Sequence, residues 1–396
     1  MRNILKSTAL TAGLAIFSML FGAGNLMYPI KVGLDSGDKF IWGIIGFLLT
    51  SVLLPVMGLI AIIHFNGDYK AFFYRLGKIP GAFIIAFSMA VIGPLYVMPR
   101  IVTTSYEMLK PFMPDAMTGL IFSLLFCGLT FLATYKESKI IDLLGNLISP
   151  VLLISLSVIL IKGILNPQVL TTTNATTWTI FADQAILGYS HLDLLGTIFF
   201  GSIVLSILKS NIKDGTDYDL DSLSKTGMKA GLIGCFLLGM VYIGMALLGA
   251  FYGTGLESSN IAQLFSLISF KVLGQHGAFI IATAVAMACF STIIALATVL
   301  AEYIQHEASN NKLSYTQGLL ITLGLTMLVA CSGISNLLWY AGPIINTIYP
   351  LFITLTLCNL GYSYFKFKPV KIPVFATLIF SIYLNWSSYA IYTNLF

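Results

Sequence analysis

The sequence predicts an all-α integral membrane protein, and two observations carry that prediction. Of 396 residues, 57% are hydrophobic and only 9% are charged, whereas a soluble domain has about a quarter charged residues. Apolar runs of about twenty residues, long enough to cross a bilayer as helices, recur along the chain. We therefore expect residues 1–396 to form a single polytopic transmembrane domain.

Hydropathy predicts about eleven spans, with twelve as the alternative because the C-terminal region is the hardest to divide. The spans lie near residues 8–30, 40–64, 81–104, 117–134, 140–162, 190–208, 227–252, 277–303, 316–333, 337–361 and 372–395. The first ten would form two inverted repeats, residues 8–162 and 190–361, followed by an extra C-terminal helix at residues 372–396.

The distribution of basic residues predicts a cytoplasmic N-terminus. The net charge is +5, but Lys and Arg are scattered through short loops without the aromatic interleaving of a nucleic-acid surface. Of the 21 Lys and Arg, the outer side would keep only Lys31, Lys39, Arg100, Lys110, Lys162 and Lys271. This bias follows the positive-inside rule.

The first span contains the least helical segment of the chain, FGAGNLMYP at Phe21–Pro29. Two glycines, an Asn and a Pro within eight residues disfavour a continuous helix. Unwound backbone at membrane depth is tolerated where it lines a cavity, and its freed carbonyl and N–H groups can bind a cation and a carboxylate. The alternative is a close-packed glycine pair with a proline kink.

A second break is predicted in the sixth span, at Phe199-Phe200-Gly201-Ser202. Spans one and six are equivalent positions if the two halves are inverted repeats. Taken alone, the segment would more simply be an aromatic pair that faces lipid.

In the third span, Tyr96 lies between Pro94 and Pro99, which should bend the helix and let the tyrosine close over a bound solute. Arg100 follows near the outer end, where extension of its side chain to the headgroups is the default and a gating or substrate role the alternative.

The eighth span carries Ser291 and Thr292, whose hydroxyls could bind a hard cation or simply bond to their own helix. Glu107, Asp142 and Asp193 all fall near predicted span ends. Because a proton-coupled carrier usually has a membrane-embedded carboxylate or histidine, Na⁺ is preferred over H⁺.

Three strings, FGAGNLMYP, IGPLYVMPR at residues 92–100 and IYPLFI at residues 348–353, resemble the bacterial branched-chain amino acid:cation symporter family. That family is similar to the amino acid, polyamine and organocation transporters. The resemblance implies the leucine-transporter-type five-plus-five inverted repeat with broken helices one and six, in the bacterial inner membrane. It also implies symport of leucine, isoleucine or valine with Na⁺, or alternatively H⁺, by alternating access.

On this resemblance, Ala23, Gly24 and Asn25 would face the backbone groups of the substrate, while Tyr96 and Phe200 cover it. The full predicted substrate-binding set is Gly22, Ala23, Gly24, Asn25, Tyr96, Phe199, Phe200, Gly201 and Ser202. The predicted Na⁺ ligands are Phe21, through its carbonyl, with Ala288, Ser291 and Thr292.

No cofactor other than the coupling ion, no nucleic acid and no obligatory protein partner is expected, and the protein should not be an enzyme. The four histidines, His64, His191, His276 and His306, are dispersed and suggest neither a catalytic pair nor a metal site. A carrier of another neutral or aromatic amino acid is the nearest alternative, and a membrane-embedded enzyme or a channel is a more distant one.

Overall fold

A computed structural model describes residues 2–136, 140–210, 220–256 and 260–393. These residues form helices joined by turns, and none of them lies in a strand. The helices of the first half are α1 Arg2–Leu20, α2 Ala23–Ser36, α3 Phe40–Ser51, α4 Leu53–His64, α5 Tyr69–Tyr74, α6 Lys78–Ala90, α7 Val97–Leu109, α8 Gly119–Thr134, α9 Ile140–Asp142 and α10 Ser149–Leu165.

The second half continues the all-helical architecture. Its helices are α11 Thr177–Tyr189, α12 Asp193–Ser210, α13 Leu220–Tyr252, α14 Leu264–Leu273, α15 Ala278–Tyr303, α16 Tyr315–Ala330, α17 Ile334–Phe365 and α18 Lys371–Thr393. The α14 helix, whose buried face includes Phe265 and Ile268, lies where the sequence predicted only a loop between spans. The all-α prediction is confirmed.

Six helical stretches of the described residues are individually long and apolar enough to cross a membrane. They are Ala23–His64, Lys78–Phe112, Leu143–Leu165, Ser224–Tyr252, Ala278–Ala308 and Gly342–Phe365. Several shorter apolar helices, including Gly119–Thr134 and Tyr315–Ala330, coincide with other predicted spans. The count of eleven spans and the boundaries of the two repeats stay predictions.

The predicted break in the first span is present. The α1 helix ends at Leu20 and α2 begins at Ala23, with Phe21 and Gly22 outside both helices. Asn25 stabilises the restart, because its Oδ1 accepts a hydrogen bond from the backbone N–H of Gly22 at 3.0 Å. Pro29 lies inside α2 and does not end it, so the break is shorter than the FGAGNLMYP string suggested.

The break in the sixth span is also present, but the sequence analysis placed it wrongly. Helix α12 is continuous through Phe199–Ser202. The chain instead breaks between Tyr189 and Asp193, where α11 and α12 meet at an angle of 43°. The half-helix α11 was missed because residues 177–189 precede the predicted span. A lone glycine in an apolar helix is tolerated at moderate cost, so Gly201 did not require a break.

The third span is distorted as its prolines predict. Residues Val91–Leu95 form a π-helical turn, and Gly93 has the non-helical angles φ −92° and ψ −127°. Glycine suits this position for a second reason, since a Cβ there would lie 2.0 Å from Leu300 Cδ2 of α15. Spans three and eight therefore pack closely beside the two breaks.

Candidate functional site

The two helix breaks meet in the interior of the bundle through one side chain. The Asn25 Nδ2 group donates a hydrogen bond to Asp193 Oδ2 at 3.1 Å and another to the hydroxyl of Tyr242 in α13. Because Asn25 Oδ1 caps α2 at Gly22, its carboxamide is fully engaged by protein groups. Asn25 thus ties the start of α2 to the start of α12.

Asp193 is the acidic centre of this junction. Its side chain is 12% exposed, and its carboxylate lies at the first residue of α12, where the helix dipole favours negative charge. Oδ2 also accepts from Tyr242 at 3.5 Å and lies 3.4 Å from His191 Nδ1. A part-buried carboxylate therefore occupies a position that the sequence predicted to be a span end.

The imidazole of His191 is held by aromatic neighbours. Its ring centroid lies 4.7 Å from that of Tyr28 and 5.1 Å from that of Phe47. The side chain is 1% exposed, and Nε2 has no hydrogen-bond partner among the described residues. The ring is therefore fixed in place with one nitrogen available.

A small cavity of about 40 Å³ opens beside this polar cluster. It is lined by Met19, Leu20, Ile92, Val97, His191, Leu192, Asp193, Gly196, Phe200, Thr292 and Leu296. The polar lining groups are His191, Asp193 and Thr292, and aliphatic and aromatic side chains from spans one, three, six and eight form the rest. The lining therefore combines groups that can bind a charged moiety with groups that can contact an apolar one.

Arg100 is buried beside the junction and does not extend to the membrane surface. It is 6% exposed, and its guanidinium lies 3.5 Å from the carbonyls of Ser190 and His191 and 3.3 Å from the Tyr96 hydroxyl. These long contacts satisfy the C-terminal carbonyls of α11 and bring span three against the sixth-span break. The default expectation for Arg100 was wrong, because it supposed that a charge near the end of a span must reach solvent.

The predicted Na⁺ ligands lie together against the first-span break. Ala288, Ser291 and Thr292 are buried in α15, and a Cβ added to Gly22 would lie 2.9 Å from Thr292 Oγ1. Ser291 and Thr292 donate to the Ala288 carbonyl at 2.9 and 3.4 Å. Hydroxyl and carbonyl oxygens fit a hard monovalent cation, but their role as ligands stays a prediction.

Three residues predicted to bind substrate lie away from the cavity. Phe199 stacks on Phe73 with ring centroids 5.9 Å apart. Gly201 packs against α4, where a Cβ would lie 2.7 Å from Ile62 Cγ2, and Ser202 donates to the carbonyl of Gly67. They were selected because the break was placed on them, and a continuous helix turns their faces toward α4 and α5.

Of the predicted substrate-binding set, Phe200 lines the cavity directly. Asn25 donates a hydrogen bond to the lining residue Asp193, and the Tyr96 hydroxyl accepts one from Arg100. The first-span residues Gly22, Ala23 and Gly24 lie at the break itself. The sequence analysis missed His191, Asp193 and Gly196. The signal that could have found them is a histidine and a carboxylate two residues apart at the head of an apolar run.

Two discontinuous helices beside a small internal cavity are typical of the leucine-transporter-type membrane fold. The fold is shared with a solved structure of a Na⁺-coupled sialic acid symporter, with a TM-score of 0.59 at 13% sequence identity, over 94% of this chain and 88% of that one. The neighbour is described as substrate-bound and outward-open.

The family follows from the sequence. The profile of the branched-chain amino acid transport protein family matches residues 5–395, and the chain belongs to that family. It is 30% identical to the branched-chain amino acid permease BraB of Bacillus subtilis over 89% of this chain and 80% of BraB. It is 28% identical to the permease BrnQ of Escherichia coli K12 over 96% of this chain and 87% of BrnQ. The resemblance inferred from the sequence is confirmed, and the chain is a transporter and not an enzyme.

Proposed function

We propose that this protein is a secondary active symporter that imports leucine, isoleucine and valine with Na⁺ by alternating access. The observation that carries the proposal is the cavity at the junction of the two breaks. Ile92, Phe200 and Leu296 offer an apolar wall to a branched side chain. Asp193, at the start of α12, also lines this cavity, and half-helix termini suit a zwitterion.

The curated relatives and the structural neighbour both support this proposal. The curated relatives are named branched-chain amino acid permeases, and the structural neighbour is named a Na⁺-coupled symporter. One monovalent cation that falls through about 100 mV releases ~2.3 kcal/mol, and a tenfold gradient adds ~1.4 kcal/mol. Coupling to one ion is therefore enough for concentrative uptake.

The position of Asp193 changes one argument for Na⁺ as the coupling ion. The preference for Na⁺ rested partly on the expectation that no carboxylate lies inside the bundle, and the structure contradicts that expectation because the side chain of Asp193 is only 12% exposed at the junction. Na⁺ is now favoured by the oxygen groups around Thr292 and by the structural neighbour. H⁺ is the alternative that the transport assay must separate.

The test is uptake of labelled leucine into proteoliposomes under an imposed Na⁺ gradient, with an imposed H⁺ gradient in parallel. We expect Na⁺-driven accumulation that isoleucine and valine inhibit and phenylalanine does not. Inhibition mainly by aromatic amino acids would favour the alternative substrate class, and uptake indifferent to both gradients would remove symport. In the cell we place the protein in the bacterial inner membrane with its N-terminus in the cytoplasm, which reporter fusions at each end would check.

A further inference from the structure

The carboxylate of Asp193 has one oxygen to which no described residue donates a hydrogen bond. Its hydrogen-bond donors among the described residues, Asn25 Nδ2 at 3.1 Å, His191 Nδ1 at 3.4 Å and the Tyr242 hydroxyl at 3.5 Å, all approach Oδ2. Asp193 also lines the cavity. Oδ1 is therefore an acceptor without a donor from the described part of the chain.

His191 supplies a second acceptor at the same cavity. Its Nδ1 faces a carboxylate oxygen at 3.4 Å. In a neutral imidazole this contact places the proton on Nδ1 and leaves a lone pair on Nε2. Nε2 is buried and has no partner among the described residues. A buried polar atom without a partner is costly, so this nitrogen calls for a donor from a ligand.

Arg100 lies near Asp193 without forming an ion pair with it. Its guanidinium is directed to the carbonyls of Ser190 and His191 and to Tyr96. Among the described residues, no Lys or Arg forms a salt bridge with Asp193, and His191 at 3.4 Å would pair with it only when protonated. A part-buried carboxylate without a Lys or Arg partner favours a bound cation.

We propose that Asp193 Oδ1 and His191 Nε2 form the subsite that binds the α-ammonium group of the transported amino acid. A primary ammonium has three N–H donors and one positive charge, which match a carboxylate oxygen and an imidazole lone pair. An alkali cation fits less well, because hard cations prefer oxygen ligands to imidazole nitrogen. The side chain of the substrate then extends toward Ile92, Phe200 and Leu296. This inference rests on the proposed function and adds how the zwitterion is oriented.

The experiment is competition binding to the purified full-length protein at fixed pH and saturating Na⁺. Tritiated leucine is displaced by leucine or by 2-hydroxy-4-methylpentanoate, in which a hydroxyl replaces the ammonium. The wild type should bind the hydroxy acid about a hundredfold more weakly or worse. In D193N, leucine affinity should fall by about thirtyfold or more, while hydroxy-acid affinity stays within about threefold of the wild-type value. The discrimination, meaning the ratio of the two affinities, is then largely lost.

Asp183 gives a matched control, because it is exposed on α11 outside the cavity, and D183N should leave the discrimination unchanged. A D193N protein that still discriminates as the wild type does overturns the inference. The inference is also overturned if D193N separates leucine from the hydroxy acid normally but needs more Na⁺ or a different pH to bind leucine. Asp193 would then serve the coupling ion.

If D193N is not monodisperse, a variant of His191, the second residue of the subsite, provides the test. H191F keeps the ring packing on Tyr28 and Phe47 and removes the acceptor, and it should reduce the discrimination by about tenfold. Unchanged discrimination in H191F overturns the inference. A wild-type protein that binds no branched-chain amino acid contradicts the proposed function itself, and the subsite fails with it.

Discussion

Asn25 and Asp193 join the two broken helices through a 3.1 Å hydrogen bond between Nδ2 and Oδ2. The bond spans 168 residues of sequence and is part-buried, so it fixes how the starts of α2 and α12 face one another. Any ligand in the adjacent cavity contacts backbone whose geometry depends on this contact.

The first prediction is that N25A abolishes most transport while the protein still folds. The variant loses the cap on Gly22 and leaves Asp193 and Tyr242 without an amide partner, a loss of about 1–3 kcal/mol at the junction. Leucine uptake should fall about tenfold or more, since 1.4 kcal/mol is a factor of ten. Asn174, in an exposed loop, supplies the control N174A. Normal uptake by N25A would move the site elsewhere.

The Na⁺ assignment is tested at one hydroxyl. T292V keeps the shape of the side chain and removes Oγ1, so the Na⁺ concentration for half-maximal uptake should rise by about tenfold. Thr298 on the same helix is equally buried, and its hydroxyl donates only to the Ile294 carbonyl at 2.9 Å. T298V should therefore have a wild-type Na⁺ dependence, and equal behaviour of the two variants would count against the assignment.

The close contact between Gly22 at the first break and Thr292 in span eight leads to a steric prediction. In G22A the new Cβ would meet Thr292 Oγ1 at 2.9 Å and push α2 from α15, although the extended backbone of Gly22 accepts an alanine. Leucine uptake at limiting Na⁺ should fall by several fold, about 1 kcal/mol or more. Gly128 in α8 has nothing within 4 Å of its would-be Cβ, so G128A should transport normally. A fully active G22A would show that the contact is not needed.

Selectivity should depend on the apolar wall. L296A enlarges the cavity beside Phe200, so phenylalanine should become a better competitor of leucine uptake by about tenfold, corresponding to 1–3 kcal/mol for a few methylene groups. The control is L325A on α16, where the side chain is 46% exposed. An unchanged competition profile in L296A would place the substrate side chain outside this cavity.

An ion pair at the C-terminal end of span eight should contribute little to stability. Lys70 of α5 pairs with Glu307, and this hydrogen bond raises the pKa of Lys70 above its ordinary value of 10.5. The contribution is therefore present at neutral pH and is lost only as the pH rises through the raised pKa of Lys70. Both side chains are partly exposed, with Lys70 at 42%, so about 0–1 kcal/mol is expected.

Thermal unfolding of K70M measures this contribution, with the exposed Lys312 as the control in K312M. Between about pH 6 and 9 the difference from wild type should be small and constant. A destabilisation of several kcal/mol, or one that changes across this range, would show a larger role for the pair.

Much of the fold was predictable because its signals are local. Composition and run length predict the membrane class, and the glycine pair with Asn25 marks the first break through backbone propensity. The second break carries no such signal, since Ser190-His191-Leu192 is ordinary in composition and Leu192 adopts φ +66° without a glycine. It forms because Arg100, distant in sequence, satisfies the freed carbonyls.

The cluster of Asp193, Asn25 and Tyr242 could not be predicted either, because it also depends on contacts between residues distant in sequence. Asp193 lies at a span end only if α11 is left out of the sixth span. With α11 included, the same residue lies at the break between α11 and α12. The mutual position of Asp193, Asn25 and Tyr242 depends on tertiary packing among α2, α12 and α13, which no window of sequence contains.

An experimental structure of the purified protein with leucine and Na⁺ would test the central claim most directly. We expect density for leucine between the breaks at Phe21–Gly22 and Ser190–Leu192, with its side chain against Ile92, Phe200 and Leu296. Leucine bound at another place, with this cavity filled only by solvent, would contradict the account.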